Sequence, residues 1–282
     1  MSKSSRAKSP WVRLAWLAFF ALIGLFVCSL ALSVVTYFAG TVSTTTQRWL
    51  VMLQTLLIFA VPAIIFFYLY GDKSAFTLRR TGWRVWIIAL VLMPLALPAV
   101  NFTKWLNEML SLPDAISAIE QWMQQMEEAS NQLTAQLLQT ENRGEIVMNL
   151  VAMALVPAVS EELFFRGALQ RTLTQKMNAH AAIWFTAIIF SAAHLQFYGF
   201  IPRMLLGAAL GYLFWYSGSI WTSILAHFVN NAATIILFEK DLPFFDVESI
   251  GTMETWWVGM ASLVLVAAMV WSLSRLASPK KK

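Results

Sequence analysis

The chain has 282 residues, of which 59% are hydrophobic and only 12% are charged, and its formal net charge is +5. A water-soluble protein of this length needs a far more charged surface, so the composition excludes a soluble globular protein and indicates an integral membrane protein. The basic residues lie in short runs between apolar segments, which argues against the single basic patch of a nucleic-acid-binding protein. The single cysteine, Cys28, excludes an intrachain disulfide.

Eight apolar segments are long enough, or nearly so, to cross a bilayer, for which a helix needs about 20 residues. We therefore predict an all-α, polytopic membrane protein. The predicted spans lie near residues 11–39, 49–70, 84–102, 146–165, 181–198, 202–217, 219–238 and 255–274. Pro157 predicts a bend in the fourth span. Gly207 and Gly211, four residues apart in the sixth, predict a close contact between two helices.

The distribution of lysine and arginine predicts the orientation in the membrane. Basic clusters occur at the N-terminus, between the second and third spans, after the fourth span and at the C-terminus. With eight spans, all these clusters fall on one side and the acidic residues collect on the other. Since cytoplasmic loops are enriched in lysine and arginine, both termini are expected in the cytoplasm. Short loops and the absence of a targeting extension suggest a bacterial inner membrane.

One sizeable extramembrane segment, 103–145, separates the third and fourth predicted spans. Apolar residues recur in it at helical spacing, with Glu and Gln between them, which predicts an amphipathic helix on the outer surface. We expect this helix only to connect two spans; the alternative is a lid over a functional site. The chain then divides into an N-terminal part, 1–145, a helical core, 146–238, and a C-terminal part, 239–282, with an external loop, the last span and a basic tail.

Ionisable side chains collect in three of the later predicted spans, where each costs about 3 kcal/mol on insertion scales and is a functional candidate by default. In the fourth span, Glu162 and Arg166 are four residues apart and are predicted to pair on one helix face. Glu161 lies about 100° around the helix and is left free of that pair. One carboxylate is thus neutralised and the other is available for chemistry. A charge cluster at the end of the span is the structural alternative.

Two further spans carry histidines. His194 lies well along the fifth predicted span, and His227 and Asn231 share one face of the seventh. Taken singly, His194 would be a packing histidine, His227 with Asn231 an interhelical clamp, and His180 a residue of a cytoplasmic turn. Together with Glu161, the three form a base, two imidazoles and an amide donor, which are the groups that hydrolysis needs to activate water and stabilise an oxyanion.

Two further chemistries are compatible with these residues. Glu161, His194 and His227 are also typical ligands of a divalent metal such as zinc, with an open position for water. Ser191 and Ser223 lie close to the histidines in sequence, but a serine–histidine dyad is not favoured. Metal-assisted hydrolysis and glutamate-dependent hydrolysis without a metal both stay open at this point.

The polar residues form three motifs in chain order: Glu-Glu-x-x-x-Arg at Glu161, Glu162 and Arg166, Phe-x-x-x-His at Phe190 and His194, and His-x-x-x-Asn at His227 and Asn231. Together they resemble the CPBP family, the CAAX proteases and bacteriocin-processing enzymes also called the Abi family, which includes type II CAAX prenyl endopeptidases. The resemblance covers about residues 146–238. It implies a helical core with a site in a membrane cavity. In that site Glu161 is a base or ligand, His194 lies beside it, and His227 and Asn231 are ligands or oxyanion donors.

The predicted function is an intramembrane endopeptidase that cleaves a membrane-embedded or lipidated protein or peptide with water activated by Glu161. CAAX-type C-terminal processing is what the resemblance implies about the substrate. The alternatives are a non-proteolytic protein of the bacteriocin-immunity or scaffold type, and a transporter that uses the buried polar cluster as an ion relay. The intact set of Glu161, His194 and His227 argues for catalysis, and the lack of an internal repeat argues weakly against transport.

Overall fold

The computed structural model of the protein describes residues 9–40, 42–70, 81–109, 117–240 and 249–276. In these ranges the chain forms nine helices and no strand, which confirms the predicted all-α class. The helices are α1 Pro10–Ala39, α2 Thr44–Tyr70, α3 Trp83–Glu108, α4 Ser117–Leu138, α5 Arg143–Leu173, α6 Ala179–Ala192, α7 Phe200–Ser217, α8 Ile220–Lys240 and α9 Trp256–Leu276. The predicted external loop at 241–248 and the basic tail at 277–282 lie outside the described residues.

Six of the described helices, α1, α2, α3, α5, α8 and α9, are long and apolar enough to cross a bilayer. The predicted fifth span is shorter than expected, because α6 has 14 residues. A helix of that length reaches about 21 Å, against a hydrocarbon core about 30 Å thick. α6 and α7 pack against each other as a helical hairpin. Because a hairpin returns to the side from which it starts, the expected orientation is the same whether or not this pair crosses the whole bilayer.

Side-chain caps determine where three of the helices begin. The side-chain oxygens of Ser43, Asn142 and Asn178 accept hydrogen bonds from backbone N–H groups in the first turns of α2, α5 and α6. The first N–H groups of a helix have no partner within the helix, so each cap stabilises its helix by about 1 kcal/mol. The cap at Asn178 fixes the start of α6, the first helix of the α6–α7 hairpin that carries part of the site.

Two stretches of α5 widen into π-helical turns, Leu150–Leu155 and Leu163–Gln170. Pro157 lies two residues after the end of the first of them. Proline has no N–H group to bond the carbonyl four residues earlier, and its ring crowds that carbonyl, so the helix opens at this point. The π-helical turn agrees with the predicted loosening of the helix before the acidic pair.

The central helix, α5, packs against α1, α2, α6, α7 and α8. A Cβ atom on Gly211 of α7 would lie 2.8 Å from Gln170 Oε1 of α5 and 2.9 Å from Ile183 of α6, and one on Gly207 would lie 3.1 Å from the ring of Phe190. These separations are shorter than ordinary van der Waals contacts, so glycine is required for α7 to lie this close to its neighbours. The predicted packing role of this glycine pair is confirmed.

A buried arginine ties α4 to the bundle. The guanidinium of Arg48 in α2 donates to the carbonyls of Leu137 at 3.0 Å and Gln139 at 2.8 Å, and to Glu145 Oε2 at 3.1 Å. Carbonyls at the end of a helix lack partners within it, so Arg48 acts as a side-chain cap for α4 and also links it to the start of α5. The predicted amphipathic helix is confirmed, and its C-terminal end is fastened to the membrane helices.

Candidate active site

The buried ion pair predicted from sequence spacing is present in α5. Arg166 Nη1 donates to Glu162 Oε1 at 2.7 Å, and Arg166 Nη2 donates to the carbonyl of Gly207 at 2.8 Å. Both charged side chains are fully buried. One turn further along, Gln170 Nε2 donates to the carbonyl of Gly211 at 3.0 Å. The two glycines of α7 therefore expose backbone carbonyls to α5, and these carbonyls hold Arg166 and Gln170 in place.

His227 of α8 connects this ion pair to the second carboxylate. His227 Nδ1 lies 2.9 Å from Glu162 Oε1, the same oxygen that Arg166 contacts. Because a carboxylate only accepts hydrogen bonds, we assign the proton to Nδ1, which leaves Nε2 of the neutral ring as an acceptor. That Nε2 lies 3.9 Å from Glu161 Oε2. Glu162 thus sets the orientation and the tautomer of a histidine that faces Glu161.

Glu161 is buried but makes no ion pair with Arg166, as its position around the helix predicts. Among the described residues, Glu161 Oε2 has no hydrogen-bond partner. The same side chain lines a cavity of about 410 Å³. A buried polar atom without a protein partner is satisfied by water where there is room for it. Glu161 is therefore placed to accept a hydrogen bond from a water molecule in this cavity.

The prediction that His194 lies well along a membrane span is wrong. α6 ends at Ala192, and His194 lies in the turn 193–199 that leads to α7. The next residue, Leu195, has φ 54, a left-handed conformation that non-glycine residues rarely adopt. His194 Nδ1 donates to the carbonyl of Phe190 at 2.8 Å, so Nε2 of the neutral ring is again an acceptor, and the side chain lines the cavity. The chain reverses direction here to form the hairpin, and this reversal ends the helix.

The ring of Phe190 lies among three polar side chains of the site. Its centroid is 5.1 Å from that of His194, 5.9 Å from that of His227 and 4.9 Å from the guanidinium carbon of Arg166. The two imidazoles meet it edge to face, and the cation lies over the ring. Phe190 therefore fills the space between α5, α6 and α8 and separates the buried ion pair from His194.

Asn231 lies at the cavity, one turn after His227. Its Nδ2 donates to the carbonyl of Met153 at 3.4 Å, and Asn230 Nδ2 donates to Asn231 Oδ1 at 3.1 Å. Met153 is the residue whose carbonyl Pro157 leaves without its usual helical donor. A side-chain amide has two N–H groups, so one of them stays available to a ligand in the cavity.

The expectation that α4 only connects two spans is wrong. Glu127 and Asn131 of α4 line the same cavity as Glu161, together with Lys104 near the end of α3. The segment that the sequence placed outside the helical core therefore supplies part of the wall of the site. This position agrees better with the alternative prediction, that α4 is a lid over the site.

Contacts from α3 and α4 hold the turn that carries His194. Asn107 Nδ2 donates to the carbonyls of Phe197 at 2.9 Å and Tyr198 at 2.7 Å, and Glu127 Oε2 accepts from the backbone N–H of Tyr198 at 3.3 Å. The backbone groups of a turn lack the regular hydrogen bonds of a helix, so side chains of other helices satisfy them. Sequence reasoning missed Asn107, because an asparagine near the end of an apolar helix carries no signal of a partner 90 residues away.

Sequence reasoning also missed Arg203 in the first turn of α7. Its guanidinium donates to the side chain and to the carbonyl of Gln196, and both residues line the cavity. Arg203 places a positive charge near Glu127 and Glu161, the carboxylates that interact with it electrostatically. The only available sequence signal was a lone arginine in an otherwise apolar segment.

The remaining sequence candidates are engaged elsewhere. The hydroxyl of Ser191 donates to the carbonyl of Phe200 at 2.7 Å, and that of Ser223 donates to the carbonyl of Leu210 at 3.1 Å. His180, at the start of α6, lies 2.9 Å from the Tyr212 hydroxyl through Nδ1 and is exposed. These contacts agree with the interpretation that neither serine forms a dyad with a histidine of the site.

The three residues suggested as metal ligands meet only part of what a metal site needs. The hydrogen bonds at Nδ1 leave Nε2 of His194 and of His227 as acceptors. A ring nitrogen of this kind can bind a metal ion or accept a hydrogen bond from water. Among the described residues, however, no three His, Cys, Asp or Glu side chains lie close enough together to hold a metal ion. The positions of Glu161, His194 and His227 therefore do not fit a three-ligand site.

The fold and the site define a class: an integral membrane protein of many helices, with a buried carboxylate–histidine cluster facing a cavity. A family model described as type II CAAX prenyl endopeptidase Rce1-like matches residues 143–233. That segment runs from the start of α5 into α8 and contains all three motifs, so the resemblance inferred from the sequence is confirmed.

One curated relative is the uncharacterized protein YpbD of Bacillus subtilis (strain 168), which is 27% identical over 90 residues. The alignment covers 30% of this chain and 43% of YpbD, so the chain matches less than half the length of that relative. No solved structure matches the chain.

Proposed function

We propose that this protein is an intramembrane endopeptidase in which Glu161 activates water for attack on a peptide bond. The observation that carries the proposal is the position of Glu161 Oε2, which is buried, has no partner among the described residues and lies 3.9 Å from His227 Nε2. The cavity beside it has a volume of about 410 Å³, which is room for a segment of peptide as well as water. The match to an Rce1-like peptidase model over the same residues supports this assignment.

The chemistry follows from the groups at the cavity. The water donates one hydrogen bond to the carboxylate of Glu161 and is positioned by the acceptor Nε2 of His227. As its oxygen bonds to the carbonyl carbon, Glu161 takes its proton, and the N–H of Asn231 stabilises the negative charge that forms on the carbonyl oxygen. Glu161 then returns the proton to the amide nitrogen while the C–N bond breaks. The products are a carboxylic acid and an amine.

Glu162 and Arg166 position the reacting groups and do not touch the substrate. Glu162 holds His227 through Nδ1, and Arg166 holds Glu162 while it is itself anchored to the carbonyl of Gly207. This chain of contacts keeps one carboxylate paired and immobile. Glu161 is then free to exchange a proton during the reaction.

The decisive test is Glu161→Gln, which keeps the size of the side chain and removes the base. Full-length protein in detergent would be assayed against a library of apolar fluorogenic peptides. We expect turnover to fall by about 10²–10⁴-fold, the usual contribution of a positioned base, while thermal stability is retained. Glu128→Gln is a matched control, because Glu128 is an exposed residue of α4 that bonds Gln132 and does not line the cavity.

Wild-type turnover in Glu161→Gln would sink the proposed active site. If no peptide is cleaved but the variant loses a cellular phenotype of the wild type, the scaffold or immunity function gains support. Metal content separates the two hydrolytic chemistries. A metal-dependent enzyme would contain about one divalent ion per chain, lost in His194→Ala and His227→Ala, and a strong chelator would inhibit it.

We further propose that both termini lie in the cytoplasm of a bacterial cell and that the substrate is a membrane-embedded or lipidated peptide. The distribution of lysine and arginine supports this orientation, and the description of the matched family supports the substrate class. A reporter fused to the C-terminus, active only in the cytoplasm, would test the orientation. A reporter that is active only outside the cytoplasm would contradict it.

A further inference from the structure

The two ends of the helix bundle differ in their acidic residues, which collect at one end. One face, here called the basic face, carries basic side chains on the ends of α1, α3, α5 and α9 and in the turn after α5: Arg13, Arg84, Arg171, Lys176 and Arg275. None of the Asp or Glu residues in the described ranges lies at these ends. The carboxylates of α4 and its flanks lie at the other ends of the helices, among them Glu120, Glu127, Glu128 and Glu141, together with the basic residues Arg48, Lys104, Arg143 and Arg203.

Most of the cavity lies towards the face opposite the basic one. Most of its lining comes from the C-terminal half of α3, the 193–199 turn, the N-terminal half of α7, the C-terminal half of α8 and from α4. Helices that alternate in direction bring these parts to the same end of the bundle. We call this end the cavity face. The inner end of the cavity is formed by Met93, Glu161, Leu210 and His227.

The exposure of the lining residues shows where the cavity opens. Lys104, Asn131 and Thr234 line it and are exposed, and all three lie towards the cavity face. Phe190 and Leu210 line its inner part and are buried. The cavity is therefore closed towards the basic face and accessible beside α4.

We infer that the site is reached from the extracytoplasmic side of the membrane, so that its substrate is a peptide segment of a membrane or secreted protein presented at that side. That a substrate enters here rests on the proposed peptidase function. The side of the membrane follows from the distribution of lysine and arginine over the full sequence, because cytoplasmic loops are enriched in these residues. The basic face then lies in the cytoplasm, and the opening beside α4 faces away from it. This orientation is the same whether or not the α6–α7 hairpin crosses the whole bilayer.

The polar side chains at the opening suit a peptide that arrives from water or from the outer headgroup region. Glu127, Asn131 and Lys104 offer a carboxylate, an amide and an ammonium at the entrance. The amphipathic α4 lies beside them, and such a helix is typical of the membrane interface. An extended backbone has unsatisfied N–H and C=O groups, so it needs polar partners of this kind where it enters the protein.

Accessibility is tested without any peptide being cleaved. In a Cys28→Ala background of the full-length chain, Asn131→Cys and Thr234→Cys place a thiol at the opening, and Lys176→Cys places one on the basic face as the matched control. Each variant is treated with a charged, membrane-impermeant maleimide in intact spheroplasts and in inverted membrane vesicles. Labelling is normalised to that of the same variant solubilised in detergent.

We expect Asn131→Cys and Thr234→Cys to be labelled in spheroplasts and to lose that labelling in inverted vesicles, with the opposite result for Lys176→Cys. Labelling of the two cavity positions in inverted vesicles only, or equally in both preparations, would overturn the inference. Because no turnover is measured, a negative result here and an inactive protein in the peptide assay are distinguishable failures.

Discussion

Two buried arginines of this protein have similar surroundings and different consequences. Arg48 and Arg166 are 1% and 0% exposed, and each bonds a glutamate and at least one backbone carbonyl. The glutamate of Arg48, Glu145, is 25% exposed, whereas that of Arg166, Glu162, is 0% exposed.

The difference lies in what the glutamate contacts next. Glu145 also accepts from Asn142 and from the backbone of Glu141, so it contributes to the local cap at the start of α5. Glu162 contacts His227, whose Nε2 lies 3.9 Å from Glu161 Oε2. The comparison suggests that a buried ion pair joins helices in both places, but acts on chemistry only where its carboxylate also holds a reacting group.

Removing Arg166 is expected to have the largest effect. Arg166→Ala leaves the carboxylate of Glu162 buried without its cation, which costs about 3–5 kcal/mol of stability. His227 loses its fixed acceptor, so activity should also fall by at least about 10²-fold. Thermal unfolding in detergent and turnover on a cleaved peptide measure the two losses.

The double variant Arg166→Ala with Glu162→Gln serves as the control for this prediction. It removes both charges, so it should recover part of the lost stability without recovering activity. If Arg166→Ala alone is as active and as stable as the wild type, Arg166 merely fills space.

Removing Arg48 should affect stability alone. Arg48→Ala deletes charge-assisted hydrogen bonds to two carbonyls and one carboxylate, and Glu145 is exposed enough to be solvated afterwards. We expect a loss of about 1–3 kcal/mol, together with unchanged turnover per folded molecule. A fall in turnover larger than the fall in the folded fraction would show that this arginine also acts on the site, and the distinction drawn above would fail.

Asn107 is a third case, because it contacts the turn that carries His194 without forming an ion pair. Asn107→Ala removes two hydrogen bonds to the turn of His194, each worth about 1 kcal/mol. Turnover should fall by about tenfold or less through a lower kcat, because the turn loosens while the cavity keeps its shape. Gln124→Ala is the matched control, because Gln124 is an exposed residue of α4 that does not line the cavity. An equal loss of kcat in both variants would argue against a specific role for Asn107.

Several properties could be predicted from the sequence because they depend on residues close together in the chain. Unpaired polar groups are costly to bury in lipid, and a helix satisfies its own backbone groups. Composition and the length of the apolar segments therefore predicted an all-α membrane protein. The spacing of Glu162 and Arg166 depends on helix periodicity, so it predicted both the ion pair and the freedom of Glu161. The order of the three motifs predicted the segment that matches the Rce1-like model.

Other properties were decided by contacts between residues far apart in the chain. Hydropathy could not show that α6 stops at Ala192, because the residues after it are also largely apolar and the helix ends where the hairpin must turn. Amphipathic periodicity predicted α4, but it could not show that Glu127 faces the cavity, since a polar face is equally compatible with solvent. The partner of Arg48 is 97 residues away, and that of Asn107 is 90 residues away. Local propensity carries no information about such pairs, which form only once the helices have packed.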